Sequence, residues 1–403
     1  MKKKKIDLVI LAGGKGSRIK YFTKKFPKPL IKFNEIPFIQ FLINYYTQFN
    51  LRFIFILAGY KGKQLKNKYH NKEQNFVNIK CIVEKRPRDT GGALNLIKKK
   101  ISKNFFLING DTYLEPDVKY ITSKINLKKK IGLMNVTKSN NKNIKLNNLK
   151  IIKNKIYFGK KNTLNNTGVY FFNKNIFSYI KKKKLSLENE ILPKIINKNK
   201  ILGHKYKKYF IDIGTKNNLF KAKKTLPKLL TRPAAFLDRD GVLNYDYGYV
   251  HKIKEFHFKK GVIKALKYLQ KKKYFIFIVT NQAGISKGKF SIKKFFILHL
   301  WIKDILAKKN IFINDIEYCP HHLHGIIKKY KIKCNCRKPN NGMIKKIQTK
   351  WLINRKKSFF IGDKVSDQEC AKKSKIKFFF AEKNLFSQIR KIDAKFKKIS
   401  NYS

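Results

Sequence analysis

The sequence predicts an α/β protein of two domains, each a mostly parallel sheet flanked by helices. Three observations carry that expectation. Apolar runs of strand length alternate with helical stretches along the whole chain, the rhythm of parallel sheets with crossover helices. The clearest of these runs end in Gly, Asp, Asn or Thr, where open parallel sheets collect their ligands. The chain, at 403 residues, also exceeds one ordinary domain, since a domain averages about 150 residues.

In the first half the strands read "IDLVILAG", "LRFIFILAG" and "FFLINGD"; in the second they read "AAFLDRD", "YFIFIVTN" and "SFFIGD". The segment "KNNLFKAKKTLPKLLTRP" separates these two sets and holds Pro227 and Pro233. A first domain over 1–226, a linker over 227–232, a second domain over 233–390 and a C-terminal tail over 391–403 are therefore expected. Hydrophobic residues at 43% and aromatics at 14% supply enough apolar side chain for two cores. No internal repeat is visible.

Lys and Arg number 95 against 23 Asp and Glu, a formal charge of +72. Such a balance attracts nucleic acid or an anionic membrane surface. Here Lys, Asn, Ile, Phe and Tyr are abundant together, the amino acids of A/T-rich codons, and the lysines form no patterned basic arm. They read as solvated surface, and no nucleic-acid partner is expected. The start "MKKKKIDLVILAGG" imitates a signal peptide, but its apolar core is short and broken by Asp7. No run approaches the roughly 18 apolar residues of a membrane span. A cytoplasmic protein with no membrane insertion is expected; a homo-oligomer is left open. Of the five cysteines, Cys81 and Cys370 are isolated, while Cys319, Cys334 and Cys336 cluster in a way that suggests metal more than disulfide.

In "LAGGKGSRIKYFTKKFPKPL" a strand runs into Gly13, Gly14 and Gly16, followed by Arg18 and, beyond a spacer, Lys28. Small residues let backbone N–H groups approach phosphates, and the two cations add countercharge. The whole string resembles the signature of sugar-1-phosphate nucleotidyltransferases, with a Rossmann-like fold. Further stretches match that family in order. "EKRPRDTGGAL" resembles its base-binding segment, with Gly91 and Gly92 allowing close approach to the nucleobase; Asp89 stands where the family usually has glycine. The resemblance implies that Asp111 and Asp212 hold the Mg²⁺ bridging NTP and sugar phosphate, with Asn166, Gly168 and Glu188 as sugar-side contacts. The sugar 1-phosphate oxygen attacks the α-phosphorus in line and pyrophosphate leaves; Arg18, Lys28 and the metal neutralise charge.

"AAFLDRDGVLN" sets Asp238 and Asp240 two residues apart after a buried strand. Paired carboxylates there are costly to desolvate unless a cation faces them. With Thr280 in "FIVTNQAG", Lys338 in "CRKPNNGM" and Asp363 in "FFIGDKVSD", the pattern resembles the haloacid dehalogenase phosphatases. That resemblance implies Asp238 as nucleophile, Asp240 as general acid and base, and Thr280, Asn281 and Lys338 around the phosphoryl group. Mg²⁺ would be held by Asp238, Asp363 and the Asp240 carbonyl. Cys319, His321, Cys334 and Cys336 form a C-x-H and C-x-C set suited to structural Zn²⁺, with His322 and His324 as spare loop residues.

The zinc loop and the absence of room for a cap resemble D-glycero-D-manno-heptose 1,7-bisphosphate phosphatases, which leaves substrate selection to Arg337 and the loop Tyr249 to His251. The two halves together resemble a D-glycero-α-D-manno-heptose 1-phosphate guanylyltransferase fused to that phosphatase. Small-molecule substrates, heptose phosphates and NTP, are therefore expected. Two alternatives stand beside this: another sugar, NTP or histidinol phosphate as substrate, or a basic RNA- or membrane-associated protein with relic enzyme folds.

Overall fold

The computed structural model describes residues 6–49, 51–123, 130–138, 146, 148–159 and 164–401; the basic tract Met1 to Lys5 lies outside them. All six strands named from the sequence form: Ile6–Ala12, Leu51–Ala58, Asn104–Asn109, Ala234–Leu237, Phe275–Asn281 and Phe359–Gly362. Their continuous apolar runs reflect burial on both faces, the condition of a parallel strand covered by helices. Leu8, Val9 and Ile10, for example, are wholly inaccessible.

The first sheet has ten strands among the described residues. At its centre Val77–Val83, Leu51–Ala58, Ile6–Ala12 and Asn104–Asn109 run parallel, and Asn165–Asn173 then joins antiparallel. The second sheet has five strands, all parallel, in the order Asp315–Cys319, Phe275–Asn281, Ala234–Leu237, Phe359–Gly362, Lys377–Phe380.

Register places the sites. Leu11 lies opposite Asn109, so the glycine loop after Ala12 and the acidic turn after Asn109 leave the sheet side by side. Leu237 lies opposite both Ile278 and Ile361, so Asp238, Thr280 and Asp363 emerge together. Asp7, which interrupts the first apolar run, is fully buried and held by Arg52 through Nε to Oδ1 at 2.9 Å and Nη2 to Oδ2 at 2.6 Å. A bidentate guanidinium is what makes a carboxylate tolerable at that depth.

The expected boundaries differ from the folded chain in two places. Helix Lys216–Leu230 runs through Pro227 and takes up most of the segment expected as linker. Proline forfeits only its own backbone bond, and Thr231 N still donates to the Pro227 carbonyl at 2.9 Å. The expected tail from 391 onward is the continuation of helix Leu385–Asn401, whose Leu385, Ile389 and Ile392 are buried. Tyr268 also donates to Asp393 at 2.8 Å. The apolar spacing of that helix carries on across residue 390, so the lysines of this segment mask a packed face.

Candidate active sites

A cavity of about 910 Å³ opens at the strand ends of the first domain. It is lined by Gly13, Gly14, Gly16, Arg18, Lys28, Asp111, Asn166, Gly168, Glu188 and Asp212, so the structure gathers these sequence-predicted residues in one place. Gly16 adopts a left-handed backbone, φ 67°, and a Cβ there would lie 2.8 Å from Thr23 Cγ2, so the turn requires glycine. Lys28 is buried and its Nζ lies 2.7 Å from Asp111 Oδ2. Burial pushes the Asp111 carboxyl up, but the Lys28 ammonium outweighs it and leaves the group below its ordinary value. Asp212 reaches the same spot because Ile211–Asp212 pairs with Thr112–Tyr113. Burial, and then the charge of Asp111, raise it to about 6. Two adjacent carboxylates, one of them raised by the other, are a donor set that fits a hard divalent cation.

Gly91 and Gly92 do something other than expected. They are buried against the segment Lys183 to Leu187, where a Cβ on Gly92 would sit 2.3 Å from the Lys183 carbonyl and one on Gly91 2.7 Å from Ile191 Cδ1. Their small size is required by chain packing, and they are not among the residues lining the cavity, where Asp89, with φ 56°, and Thr90 stand instead. "NNTGVYFF" is a buried strand, and the Asn166 amide is spent internally, donating to Tyr170 Oη at 2.6 Å and accepting from Gly168 N at 2.9 Å. Glu188 accepts from Thr90 Oγ1 at 2.5 Å. Glu84, passed over in the sequence, lines the same cavity beside Gly13.

In the second domain Asp238 is 7% exposed and receives Lys338 Nζ at 2.9 Å. Burial raises its carboxyl to about 6, and Lys338 opposes that rise. Lys338 also meets Asp367 Oδ1 at 2.6 Å and the Val279 carbonyl at 3.0 Å. Carboxylate oxygens of Asp238, Asp363 and Asp367 all lie within 4.8 Å of one another. Asp363 Oδ1, buried, has no hydrogen-bond partner among the described residues, and Gly241, at φ 78°, leaves the space a Cβ would take 2.3 Å from Asp363 Oδ2. These residues fit a divalent cation. The Asp240 carboxylate stands apart from that cluster, held by Arg239, by Asn244 Nδ2 at 3.0 Å and by Gln282 Nε2 at 3.0 Å. Gln282 also donates to Thr280 Oγ1 at 2.9 Å.

Asn281 clamps the Lys338 backbone, accepting from its N at 3.0 Å and donating to its carbonyl at 3.1 Å, so it positions the lysine loop instead of facing substrate. Asp367, Arg239 and Gln282 also belong to the site, beyond the residues that the sequence pattern marks. Asp367 stands in the quoted string "FFIGDKVSD", one helical turn beyond Asp363, and that spacing was the available signal.

Cys319, His321, Cys334 and Cys336 converge from the end of strand Asp315–Cys319 and the loop before Lys338. Cys336 Sγ lies 3.2 Å from Cys319 Sγ, 3.3 Å from Cys334 Sγ and 3.2 Å from His321 Nδ1. Cys319 Sγ lies 3.7 Å from His321 Nδ1 and 3.6 Å from Cys334 Sγ, so the four ligand atoms are close enough together to surround one soft cation. His322 and His324 stay outside this set. Arg337 donates to the His321 carbonyl at 3.3 Å, tying the cluster to the lysine loop.

These sites define a bifunctional α/β enzyme, a nucleotidyltransferase joined to a phosphatase. Residues 8–228 match the family model described as nucleotidyl transferase, and residues 241–400 match that of polynucleotide kinase 3 phosphatase. The D-glycero-beta-D-manno-heptose-1,7-bisphosphate 7-phosphatase of Photorhabdus laumondii is 44% identical over 144 residues, 36% of this chain and 77% of that protein. Its counterpart in Haemophilus influenzae is 45% identical over 144 residues, 36% of this chain and 78% of that protein. The crystal structure of HddC from Yersinia pseudotuberculosis is 29% identical, covers 55% of this chain and 99% of its own, and gives a TM-score of 0.46. The chain belongs to the nucleotidyl transferase family and, through its C-terminal part, to the family of heptose-bisphosphate 7-phosphatases.

Proposed function

We propose that this chain performs two consecutive steps: it removes the 7-phosphate of D-glycero-D-manno-heptose 1,7-bisphosphate and then transfers GMP from GTP to the remaining heptose 1-phosphate. One observation carries this reading. The relatives of the second domain are named for cleaving position 7, and that cleavage spares the anomeric phosphate, the nucleophile a nucleotidyltransferase needs.

In the phosphatase, Asp238 attacks phosphorus to form an aspartyl phosphate, with Lys338 beside it against the phosphoryl oxygens. Asp240, held in place by Arg239, Asn244 and Gln282, exchanges protons with the leaving alkoxide and then with water. Mg²⁺, which Asp238, Asp363 and Asp367 would hold here and Asp111 and Asp212 in the first domain, supplies charge neutralisation at the phosphates. In the first domain the glycine loop, Arg18 and Lys28 orient and screen the triphosphate. Glu84 supports guanine: it lines the cavity, and only one of its carboxylate oxygens accepts from Arg88 N, at 3.1 Å. Guanine offers adjacent N–H donors on its pairing edge, whereas adenine sets an acceptor there. We place both steps in the cytoplasm, where NTPs are available; among the described residues no helix is long and apolar enough to cross a membrane.

The test is incubation with heptose 1,7-bisphosphate and each NTP in turn, followed by phosphorus NMR. Orthophosphate from position 7, then pyrophosphate and GDP-heptose, is the expected result; loss of the anomeric phosphate signal overturns the reading. The relatives' names specify the β anomer, which favours a second reading with heptose β-1-phosphate as the nucleophile, so both anomers are supplied.

We propose further that the Cys319, His321, Cys334, Cys336 set holds structural Zn²⁺. Purified protein is expected to carry about one zinc per chain. Cys334→Ser is expected to lower phosphatase activity about tenfold by loosening the loop of Arg337 and Lys338, while pyrophosphate release in the first domain is retained. Zinc-free protein of full activity would sink this assignment.

A further inference from the structure

The two domains meet through a hairpin that neither site accounts for. Glu73–Gln74 pairs with Val77–Val83, and the two residues at the turn, Asn75 and Phe76, both have left-handed backbone, φ 49° and 65°. A two-residue hairpin loop favours that geometry, but the usual occupants are Asn and Gly. Phenylalanine with positive φ is an outlier that the surrounding structure must hold in place.

Its ring explains the placement. Phe76 is buried in the core of the phosphatase domain, with ring centroids 6.0 Å from Phe295, 5.2 Å from Phe296 and 5.5 Å from His299. The rest of the turn is fastened as firmly. Asn75 Nδ2 donates to the Thr47 carbonyl at 2.9 Å and the Ile313 carbonyl at 3.1 Å. Lys303 Nζ, buried in the second domain, donates to the Asn75 carbonyl at 2.8 Å and the Thr47 carbonyl at 3.2 Å. Phe49 adds an edge contact to Phe312, centroids 5.1 Å apart.

Behind Phe76 the contacts lead toward the phosphatase site. His299 is fully buried, and its Nδ1 lies 2.9 Å from the Phe295 carbonyl, which fixes the proton on Nδ1 and leaves Nε2 as an acceptor. Among the described residues Nε2 has no hydrogen-bond partner, and neither does Nη1 of Arg239, also buried. Val250 belongs to the same buried core as Phe76 and Phe295, and its carbonyl is where that core takes hold of Arg239. Arg239 in turn holds Asp240 through Nη2 to Oδ2 at 2.7 Å and Nε to Oδ1 at 3.0 Å, and donates to the Val250 carbonyl at 2.7 Å.

We propose that this hairpin of the nucleotidyltransferase domain is a working part of the phosphatase: Phe76 is a positioning residue that packs the core around Phe295, His299 and Val250, and through the Val250 carbonyl fixes Arg239 and the Asp240 carboxylate. The two activities share one chain because one domain braces the other. This inference needs only that the second domain is a phosphatase, not that its substrate is a heptose.

The test compares full-length Phe76→Ala with Phe49→Ala, which thins the same interface away from His299. Hydrolysis of a small generic phosphate ester and of heptose bisphosphate, pyrophosphate release and thermal unfolding are read for each. Phe76→Ala is expected to lower phosphatase kcat about tenfold at nearly constant KM, because a small misplacement of a catalytic group is costly. Phe76→Leu should recover part of that loss. Pyrophosphate release is expected to stay within about twofold in all three variants, as neither Phe49 nor Phe76 lines the first cavity. A folded Phe76→Ala protein with unchanged kcat overturns the proposal, as does an equal kcat loss in Phe49→Ala. Should Phe76→Ala not fold, Phe76→Leu against Phe49→Leu carries the same comparison, and equal effects or none overturn it. Failure on heptose bisphosphate alone, with the generic ester still responding, counts against the substrate reading and not against this one.

Discussion

Asp238→Asn is expected to abolish orthophosphate release, by about 10⁴-fold or more, because the substitution removes the nucleophile itself. Asparagine keeps the shape of the side chain but not a carboxylate that can attack phosphorus. The fold should persist. Lys338, which lies 2.9 Å from Asp238, keeps its 2.6 Å contact to Asp367, so no buried cation is left unpaired. Nucleotidyl transfer is expected within about tenfold of the parent, since the Asp238 side chain is not among the residues lining the first cavity. Thermal unfolding and pyrophosphate release, measured on the same preparation, check both halves. If a folded Asp238→Asn protein lost nucleotidyl transfer as well, the two-site model would be wrong.

Asp111→Ala is the mirror case, with pyrophosphate release expected to fall about 10³-fold while phosphatase activity is retained. The residue does two things. It offers one of the two carboxylates that fit a cation, and it neutralises the buried Lys28 at 2.7 Å. Without it the buried Lys28 loses its partner, and Asp212, raised to about 6 by burial and by Asp111, loses the second of those causes. Asp212 is then expected to ionise more readily but to face the triphosphate alone. Measuring pyrophosphate release over a Mg²⁺ series separates weaker cation binding from lost chemistry: rescue at high Mg²⁺ identifies the former. Undiminished transfer at every Mg²⁺ concentration would remove Asp111 from the site.

The chain alone determined the α/β class, the six central strands and most of the chemistry-bearing side chains. Buried parallel strands write themselves as apolar runs, and phosphate chemistry requires Gly, Asp, Thr and Lys at the ends of those runs. The cysteine and histidine set was legible for the same reason, since a metal dictates both residue type and spacing. What the tertiary structure decided are the features that depend on a neighbour distant in sequence. Gly91 and Gly92 look like ligand-facing glycines, and only the backbone of Lys183 to Leu187 shows that they are packing glycines. Asn281 reads as a substrate contact until the Lys338 loop folds onto it. Asp367 gains its place beside Asp238 only when Lys338 reaches across to both. Phe76, an ordinary aromatic in a lysine-rich stretch, becomes part of another domain's core because the hairpin turn aims it there. Local sequence encodes periodicity and ligand type; which surface a side chain meets is set by long-range register, and no single segment contains that information.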